Sequence, residues 1–366
     1  MPSPSPYTLL RQEKLLLLAF LVGILAFASA PVYLAAGRWA TLAAATVLLA
    51  AILVASMSVA HHAEVLARKV GDPYGTMILT LSAVMVEVLV LAIVILQTHS
   101  ATLARDSIYA AVMLDINGTL GLAALIGGLK HGEQSYNDDS ARTYTAMILT
   151  AMGIAMVVPE FVPPRWWPVY GGFTIAALVM LYGVFLRMQV GPHSYFFSYA
   201  YPEKKTRRVA DPAMQVRPLY SVLVMVLGVA LVGTLAEVMS EALQEGLRDT
   251  HAPAALLALV VAVISAGPEI LTALWAALAN RMQSTVNIAL GASLSTVTLT
   301  VPIITLMGLL LGMPIQMAMT PIQVVLTGIT LIVAAVNLND GQTNAIEGMT
   351  HFALFLTFLM VTGLGL

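Results

Sequence analysis

Two glutamates lie in the middle of long apolar runs, where a carboxyl group can handle ions in ways that a water-exposed acid cannot. Glu87 interrupts SAVMVEVLVL (82–91), and Glu269 interrupts SAGPEILTAL (265–274). A charged residue at the bilayer centre costs at least about 2.5–3.5 kcal/mol on insertion scales, so such residues normally face a protein interior and serve a function. Two acids in matched contexts therefore predict a pair of ion-handling groups.

The chemistry that suits such groups is exchange of a cation for a proton. A buried carboxyl group prefers to hold its proton, whereas a bound cation stabilises the carboxylate, so one group binds either partner but not both. Hard cations such as Ca²⁺ take several oxygen ligands. We therefore expect Glu87 and Glu269 to bind the cation and the proton. Secondary ligands are expected among Ser82, Asp115, Asn117, Ser265, Ser293 and Ser295.

Further acids lie towards the ends of two apolar runs and suggest entrances rather than a central site. Glu64 and Glu237 are expected to be entrance residues or gates. Glu241 and Glu245 follow one turn apart and either line an external mouth or form a solvated helix face.

Soluble-type catalysis has no support in the sequence. His61 and His62 are adjacent, so they cannot share one helix face, and no HExxH motif accompanies Glu64. No GxSxG motif, P-loop or well-placed GxGxxG is present, and the chain has no cysteine to form disulfides or thiolate metal sites. We expect a protein that is not an enzyme and has no cofactor beyond the transported cation and H⁺.

Composition places these acids in a membrane protein. The 366 residues are 59% hydrophobic and 10% charged, against about 25% charged in a soluble domain. Runs of about 20 mostly apolar residues can span a membrane, and eleven such runs are found. They cover roughly 15–36, 39–60, 74–98, 107–129, 143–163, 166–189, 218–238, 253–280, 285–312, 317–338 and 348–366. The predicted fold is an all-α polytopic membrane protein of about eleven transmembrane helices.

The distribution of Lys and Arg orients these spans. With the N-terminus inside, 13 of the 17 basic residues fall on inner segments and 4 on outer ones. The positive-inside rule then predicts a cytoplasmic N-terminus and an external C-terminus in the cell (inner) membrane. Trp166 and Trp167 lie where an aromatic belt is expected.

The two halves carry similar landmarks in the same order, which predicts an internal repeat. Ala63-Glu64-Val65 and Ala236-Glu237-Val238 each precede a polar connection and an acid-bearing helix. Five spans are an odd number, so the second repeat is inverted, and inverted repeats are typical of secondary transporters with midplane sites at the repeat interface. The predicted organisation is an N-terminal segment with an extra helix (1–37), repeat 1 (38–190), a basic cytoplasmic loop (191–217) and repeat 2 (218–366).

A resemblance to a known family is carried by three stretches. They are HHAEVLARKVGDPYGTMILTLSAVMVEV (61–88), SAGPEILTALWAALANRMQSTVNIALGASLSTVTLTVP (265–302) and DGQTNAIEGMTHFALF (340–355). Here the chain resembles the cation/proton exchangers of the calcium/cation antiporter superfamily, including the bacterial ChaA-type calcium/proton or sodium-potassium/proton antiporters. The resemblance implies that Glu87 and Glu269 bind the transported cation and exchange it for protons.

The chain departs from this family at positions that bear on the ion. A Gly-Asn-x-x-Glu motif is usual, but this sequence has Ala83-Val84 and Ser265-Ala266 instead. The missing amides would help to coordinate Ca²⁺, so Ca²⁺, Na⁺ and K⁺ all remain open.

The sequence therefore predicts an antiporter that exports Ca²⁺ and/or Na⁺/K⁺ in exchange for H⁺. The alternatives are a sodium-coupled cation exchanger, a passive cation channel and an intramembrane enzyme. The expected partners are cations, protons and membrane lipid, with no nucleic acid, and a homo-oligomer remains open.

Overall fold

The computed structural model of the chain describes residues 13–70, 74–191, 193–199, 218–248, 250, 253 and 255–366, with the side chains of 74–76 excepted. In chain order the helices are α1 Lys14–Ala35, α2 Arg38–Val70, α3 Tyr74–Thr98, α4 Leu103–Met113, α5 Gly121–His131, α6 Asp138–Met152, α7 Trp167–Val190, α8 Pro218–Leu247, α9 Ala255–Leu278, α10 Met282–Ser295, α11 Val301–Leu311, α12 Pro321–Asn337 and α13 Ala345–Leu364. Two-residue strands, β1 Gln134–Ser135 and β2 Gln342–Thr343, complete the fold.

Several helices join into longer membrane-spanning segments through π-helical or 3₁₀ turns. A π-helical segment, Leu114–Leu120, connects α4 to α5, and a second, Thr296–Thr300, connects α10 to α11. After α6 the chain continues through Gly153–Val157 and Val158–Phe161. The protein is an all-α polytopic membrane protein, as the sequence predicts.

Ten of the described spans are long and apolar enough to cross a membrane, and α12 is shorter. At about 17 residues, α12 lies at the lower limit for a transmembrane helix. The pairing of β1 with β2 decides its role, because two paired strands must lie on the same side of a membrane. Between them the described chain has five long spans and α12, and only an even number of crossings returns it to the same side. This parity supports α12 as the eleventh span.

The paired loops are fixed by more than the strands. The hydroxyl of Tyr136 donates to the carbonyl of Gln342 at 3.1 Å. Burial raises the pKa of the Tyr136 phenol, and the nearby carboxylates of Asp340, Glu347 and Asp138 raise it further. Tyr136 therefore keeps its proton and remains a donor at neutral pH.

Single-cysteine labelling tests this topology cleanly, because the natural chain has no cysteine. We expect Glu133→Cys and Asp340→Cys, both exposed beside the paired strands, to react with an impermeant maleimide from the same side of the membrane. Arg165→Cys, one crossing away from Glu133, serves as the control and should react from the opposite side. Labelling of Glu133→Cys and Asp340→Cys from opposite sides would exclude α12 as a crossing.

The described helices form two compact units that are considered separately. The first contains the described residues of Met1–His99 and Val209–Ala252, and the second those of Ser100–Arg208 and Pro253–Leu366. In the first unit α2 and α8 pack together along their length. Gly228 on α8 permits this approach, since a Cβ there would lie 2.6 Å from Val59 Cγ2. In the second unit α13 packs against α5, and α9 packs against α4.

Two helices are longer than their apolar runs predict. The second and seventh spans were expected to end near residues 60 and 238, but α2 continues to Val70 and α8 to Leu247. Glu64 and Glu237 are therefore not at helix ends, which corrects that expectation. The helices continue because one face stays buried, for example at Val65 and Met239, after the overall hydropathy has fallen.

Prolines lie at different positions in two of the membrane-spanning segments, inside α9 and at the start of α11. Pro268 lies directly before Glu269 inside α9, and the helix runs through it without interruption. Pro302 is the second residue of α11, two positions after the end of the π-helical turn Thr296–Thr300. A proline lacks the N–H that bonds the preceding turn, so each leaves one carbonyl without its usual helical donor.

Candidate functional site

In the first unit Glu87 is held about midway along α3. Its side chain is 8% exposed, and α3 packs against α2 and α8. On α8, Gly233 leaves room for Leu89 Cδ2, which would lie 3.1 Å from a Cβ at that position. The helix that carries Glu87 is therefore seated firmly within its unit, with the carboxyl group removed from solvent.

The predicted entrance residues are more exposed. Glu64 is exposed and forms an ion pair with Arg68 one turn later. Glu237 is also exposed, and its backbone carbonyl accepts a hydrogen bond from Gln97 Nε2 at 3.3 Å. Neither contact identifies a gate, so that role stays a prediction.

A cavity of about 620 Å³ lies beside the ends of α1, α3 and α8 in the first unit. Its lining comprises Leu34, Gln97, Glu241, Gln244, Glu245 and Arg248. Glu241 and Glu245 therefore line one cavity, and their role as residues of an external mouth stays a prediction. Arg248 lies 3.4 Å from a carboxylate oxygen of Glu245, so part of this negative charge is balanced.

In the second unit, oxygen-bearing side chains converge on the first π-helical segment. Asp115, 3% exposed, accepts a hydrogen bond from the hydroxyl of Ser293 at 3.2 Å. Glu269 lies about midway along α9, and α9 packs against both α10 and the segment Leu114–Leu120. The helices that carry three predicted site residues are thus in mutual contact within this unit.

Asn117 faces a different set of partners from Asp115. It is fully buried, and its Nδ2 donates to Thr330 Oγ1 at 2.7 Å. Its Oδ1 lies 2.9 Å from Nδ1 of His351. Asn117 is therefore part of a hydrogen-bonded group with α12 and α13, while Asp115 turns to α10.

The three remaining serines hydrogen-bond to their own helices. Ser82 donates to Leu79 O at 2.8 Å, Ser265 to Ala262 O at 3.0 Å and Ser295 to Ala292 O at 2.9 Å. Each hydroxyl oxygen keeps acceptor capacity. The ligand role predicted for them rests on that capacity alone and stays a prediction.

The paired histidines of the first unit separate as their spacing requires. His61 is exposed, whereas His62 is buried and contacts Glu13 Oε1 at 3.0 Å. Burial would raise the pKa of Glu13, but hydrogen bonds from His62, Tyr220 and Ser58 and the charge of His62 outweigh it and lower the pKa. This cluster ties the start of α1 to α2 and α8 and does not use Glu64.

Sequence reasoning missed Thr330, Met113 and His351 as neighbours of the site. His351 lies in the stretch DGQTNAIEGMTHFALF and is the one basic residue of α13, which is a usable signal. A titratable residue inside a transmembrane helix usually marks function. Thr330 and Met113 carry no comparable signal in an apolar helix.

These features define a class of protein. Polytopic helices with buried carboxyl and amide groups about midway along their spans, and with π-helical turns in those spans, are typical of proteins that handle ions within the bilayer.

Comparison with known proteins identifies the family within this class to which the chain belongs. The sequence model of the family described as sodium/calcium exchanger protein matches residues 39–191 and 220–364. The chain belongs to this family, whose members are transporters.

Two relatives and one solved structure illustrate the similarity. The chain is 31% identical to the y4hA protein of Sinorhizobium fredii over 69% of its own length and 70% of that protein's. It is 30% identical to the sodium-potassium/proton antiporter ChaA of Escherichia coli over 73% of its own length and 74% of that of ChaA. The structure of native YfkE superposes with a TM-score of 0.76 over 96% of this chain and 99% of YfkE, at 16% identity. The last likeness concerns the fold alone.

Proposed function

We propose that the chain is a secondary active cation/proton antiporter that exports Ca²⁺ and/or Na⁺/K⁺ in exchange for H⁺. The observation that carries this proposal is the position of Glu87 and Glu269, each about midway along a membrane-spanning helix. Carboxyl groups at this depth mark ion and proton pathways. The name of a similar protein gives support: ChaA is a sodium-potassium/proton antiporter.

In the proposed mechanism each glutamate alternates between a protonated and a cation-bound state. Glu87 is buried and Glu269 is half-buried. Each carboxyl group holds a proton until a cation arrives, and the cation stabilises the carboxylate that remains when the proton leaves. In the second unit, Asp115 and Ser293 are the best-supported additional oxygen ligands, because the two side chains are already in contact at 3.2 Å. No cofactor other than the transported ions is needed.

The proposed organisation comprises two inverted repeats in the cell (inner) membrane, with the N-terminus cytoplasmic and the C-terminus outside. The two stretches matched by one family model, 39–191 and 220–364, support the repeats. The concentration of Lys and Arg on one set of loops supports the orientation. Alternating access of the two repeats would expose the glutamates to one side at a time.

A cation panel in proteoliposomes tests the proposal. With the interior acidic and the exterior alkaline, Ca²⁺, Na⁺, K⁺ and Mn²⁺ are added outside in turn. We expect at least one of Ca²⁺, Na⁺ and K⁺ to enter while the internal pH rises, and this should persist when the membrane potential is clamped. Cation flux that ignores the pH gradient would indicate a channel. Ca²⁺ flux driven by a Na⁺ gradient alone would indicate sodium-coupled exchange.

A further inference from the structure

A directional chain of hydrogen bonds crosses the second unit from α13 to α4. His351 on α13 is 3% exposed, and its Nδ1 lies 2.9 Å from Asn117 Oδ1. Asn117 Nδ2 donates to Thr330 Oγ1 at 2.7 Å. The hydroxyl of Thr330 in turn donates to Met113 Sδ at 3.7 Å. Three helices and the first π-helical segment are linked in this way.

The direction of the chain assigns the hydrogen on His351. Thr330 has one O–H, which is directed to the sulfur of Met113, so its oxygen accepts from the amide of Asn117. Asn117 then presents its oxygen to His351, and Nδ1 must carry the hydrogen. A neutral imidazole has only one N–H, so Nε2 holds a lone pair. In the described part of the chain this buried Nε2 has no hydrogen-bond partner.

The geometry around His351 leaves its ring little freedom. A Cβ at Gly121 would lie 2.8 Å from the Cβ of His351 and 2.9 Å from the backbone nitrogen of Phe352. Only glycine permits helices to approach so closely, so the base of the histidine side chain is held against α5. Asn117 therefore meets a donor whose position is set by helix packing.

This donor acts on the turn that carries Asp115. Asp115 and Asn117 lie two residues apart in the π-helical segment Leu114–Leu120, and they contact opposite neighbours. A π-helical turn is an uncommon conformation that often occurs at functional sites. Hydrogen bonds to Asn117 on one side of the segment therefore fix the direction in which Asp115 points on the other.

We propose that His351 is a positioning residue for the cation site, acting through Asn117 to hold Asp115 in place. The inference rests on the proposed function, because it assigns Asp115 to the cation. Loss of the Nδ1–H donor would leave the buried Oδ1 of Asn117 without a partner and release the π-helical turn. The affinity for the cation should then fall, while proton coupling through Glu87 and Glu269 persists.

Three variants of His351 distinguish the roles of its two ring nitrogens. His351→Asn places an amide nitrogen where Nδ1 lies, His351→Gln places one near Nε2, and His351→Leu removes both. We expect His351→Asn to retain a cation KM near that of the natural protein. His351→Gln and His351→Leu should raise KM by roughly tenfold, with a smaller change in Vmax, as expected when a buried acceptor loses its donor.

The outcomes that would overturn the proposal are distinct. Rescue by His351→Gln but not by His351→Asn would show that Nε2 acts directly on the proton or cation. If His351→Leu kept the cation KM of the natural protein, the contact between His351 and Asn117 would have no role in cation binding. Thr330→Val removes the nearer of the two acceptors of Asn117 Nδ2, the other being Met113 Sδ at 3.5 Å. It serves as a second variant, since its effect should be less than multiplicative with His351→Leu. Thermal unfolding in detergent selects the variants that fold.

A spectroscopic measurement is independent of transport. In protein labelled with ¹⁵N-histidine, the His351 signals are assigned by their loss in His351→Asn. We expect a protonated Nδ1 and an unprotonated Nε2 at neutral pH, and the opposite tautomer would overturn the proposal. If the natural protein carries no cation flux, the proposed function fails. The tautomer, together with cation-dependent thermal stabilisation of the three variants, would still decide the role of His351.

Discussion

Replacing Glu87 or Glu269 with glutamine is expected to reduce proton-coupled cation exchange to the level of protein-free liposomes. Glutamine preserves the size of the side chain and its capacity for hydrogen bonds, but it can neither release a proton nor balance a cation. Glu87 is 8% exposed, so bulk water has too little access to stabilise the cation in place of the lost carboxylate. Loss of one charged partner costs about 1.5–3 kcal/mol, which corresponds to roughly 10–150-fold in cation affinity.

Two controls make the result specific. Glu160→Gln alters an exposed glutamate in the 3₁₀ turn Val158–Phe161, and it should leave exchange unchanged. Glu87→Asp and Glu269→Asp keep a carboxylate on a shorter stem, so they should lower the rate but preserve the dependence on pH. Robust proton-coupled exchange in either glutamine variant would remove that residue from the mechanism.

Replacing Gly348 with alanine is expected to have the largest effect on folding. Gly348 is buried on α13 where it meets α5, and an added Cβ would overlap the backbone nitrogen of Leu125 and lie 2.7 Å from the carbonyl carbon of Ala124. These atoms are backbone, so they cannot move aside by changing a rotamer. The cost should reach or exceed the about 1–3 kcal/mol typical of an overpacked core. Folded yield and the midpoint of thermal unfolding in detergent measure it.

Gly363→Ala is the matched control on the same helix. No atom lies within 4 Å of a Cβ built at Gly363, and alanine is favoured over glycine in a helix by about 1 kcal/mol. This variant should unfold at the natural temperature or slightly above it. Equal stability of Gly348→Ala and Gly363→Ala would show that α5 and α13 do not pack as closely as described.

The position of the two glutamates about midway along their helices could be predicted from sequence because the length of an apolar run fixes where its middle lies. The same reasoning found the ten described spans that are long and apolar enough to cross a membrane. It also predicted a span at α12, whose 17 residues are close to the minimum. The parity of the β1–β2 pairing supports α12 independently of hydropathy.

The partners of Asn117 could not be predicted in this way. Thr330 and His351 lie 213 and 234 residues away along the chain, and hydrophobic periodicity carries no information about contacts at that separation. The π-helical turn Leu114–Leu120 was missed for a related reason. Its residues Asp115 and Asn117 form hydrogen bonds with residues far away along the chain.

The extended ends of α2 and α8 were missed because hydropathy and helicity end at different places. Beyond residues 60 and 238 the residues are polar on one face, as at Glu64 and Glu237, yet they remain helical to Val70 and Leu247. A rule based on mean hydropathy ends the span where the lipid-facing run ends. The buried face that continues past this point is set by packing between α2 and α8.

Uphill proton movement driven by a cation gradient tests the central claim most directly. Proteoliposomes with equal pH on both sides and a clamped membrane potential receive an inward gradient of the cation identified by the panel. The account predicts that the interior becomes more alkaline as the cation enters, and that neither Glu87→Gln nor Glu269→Gln shows this change. Cation entry without any proton movement in the natural protein would contradict antiport.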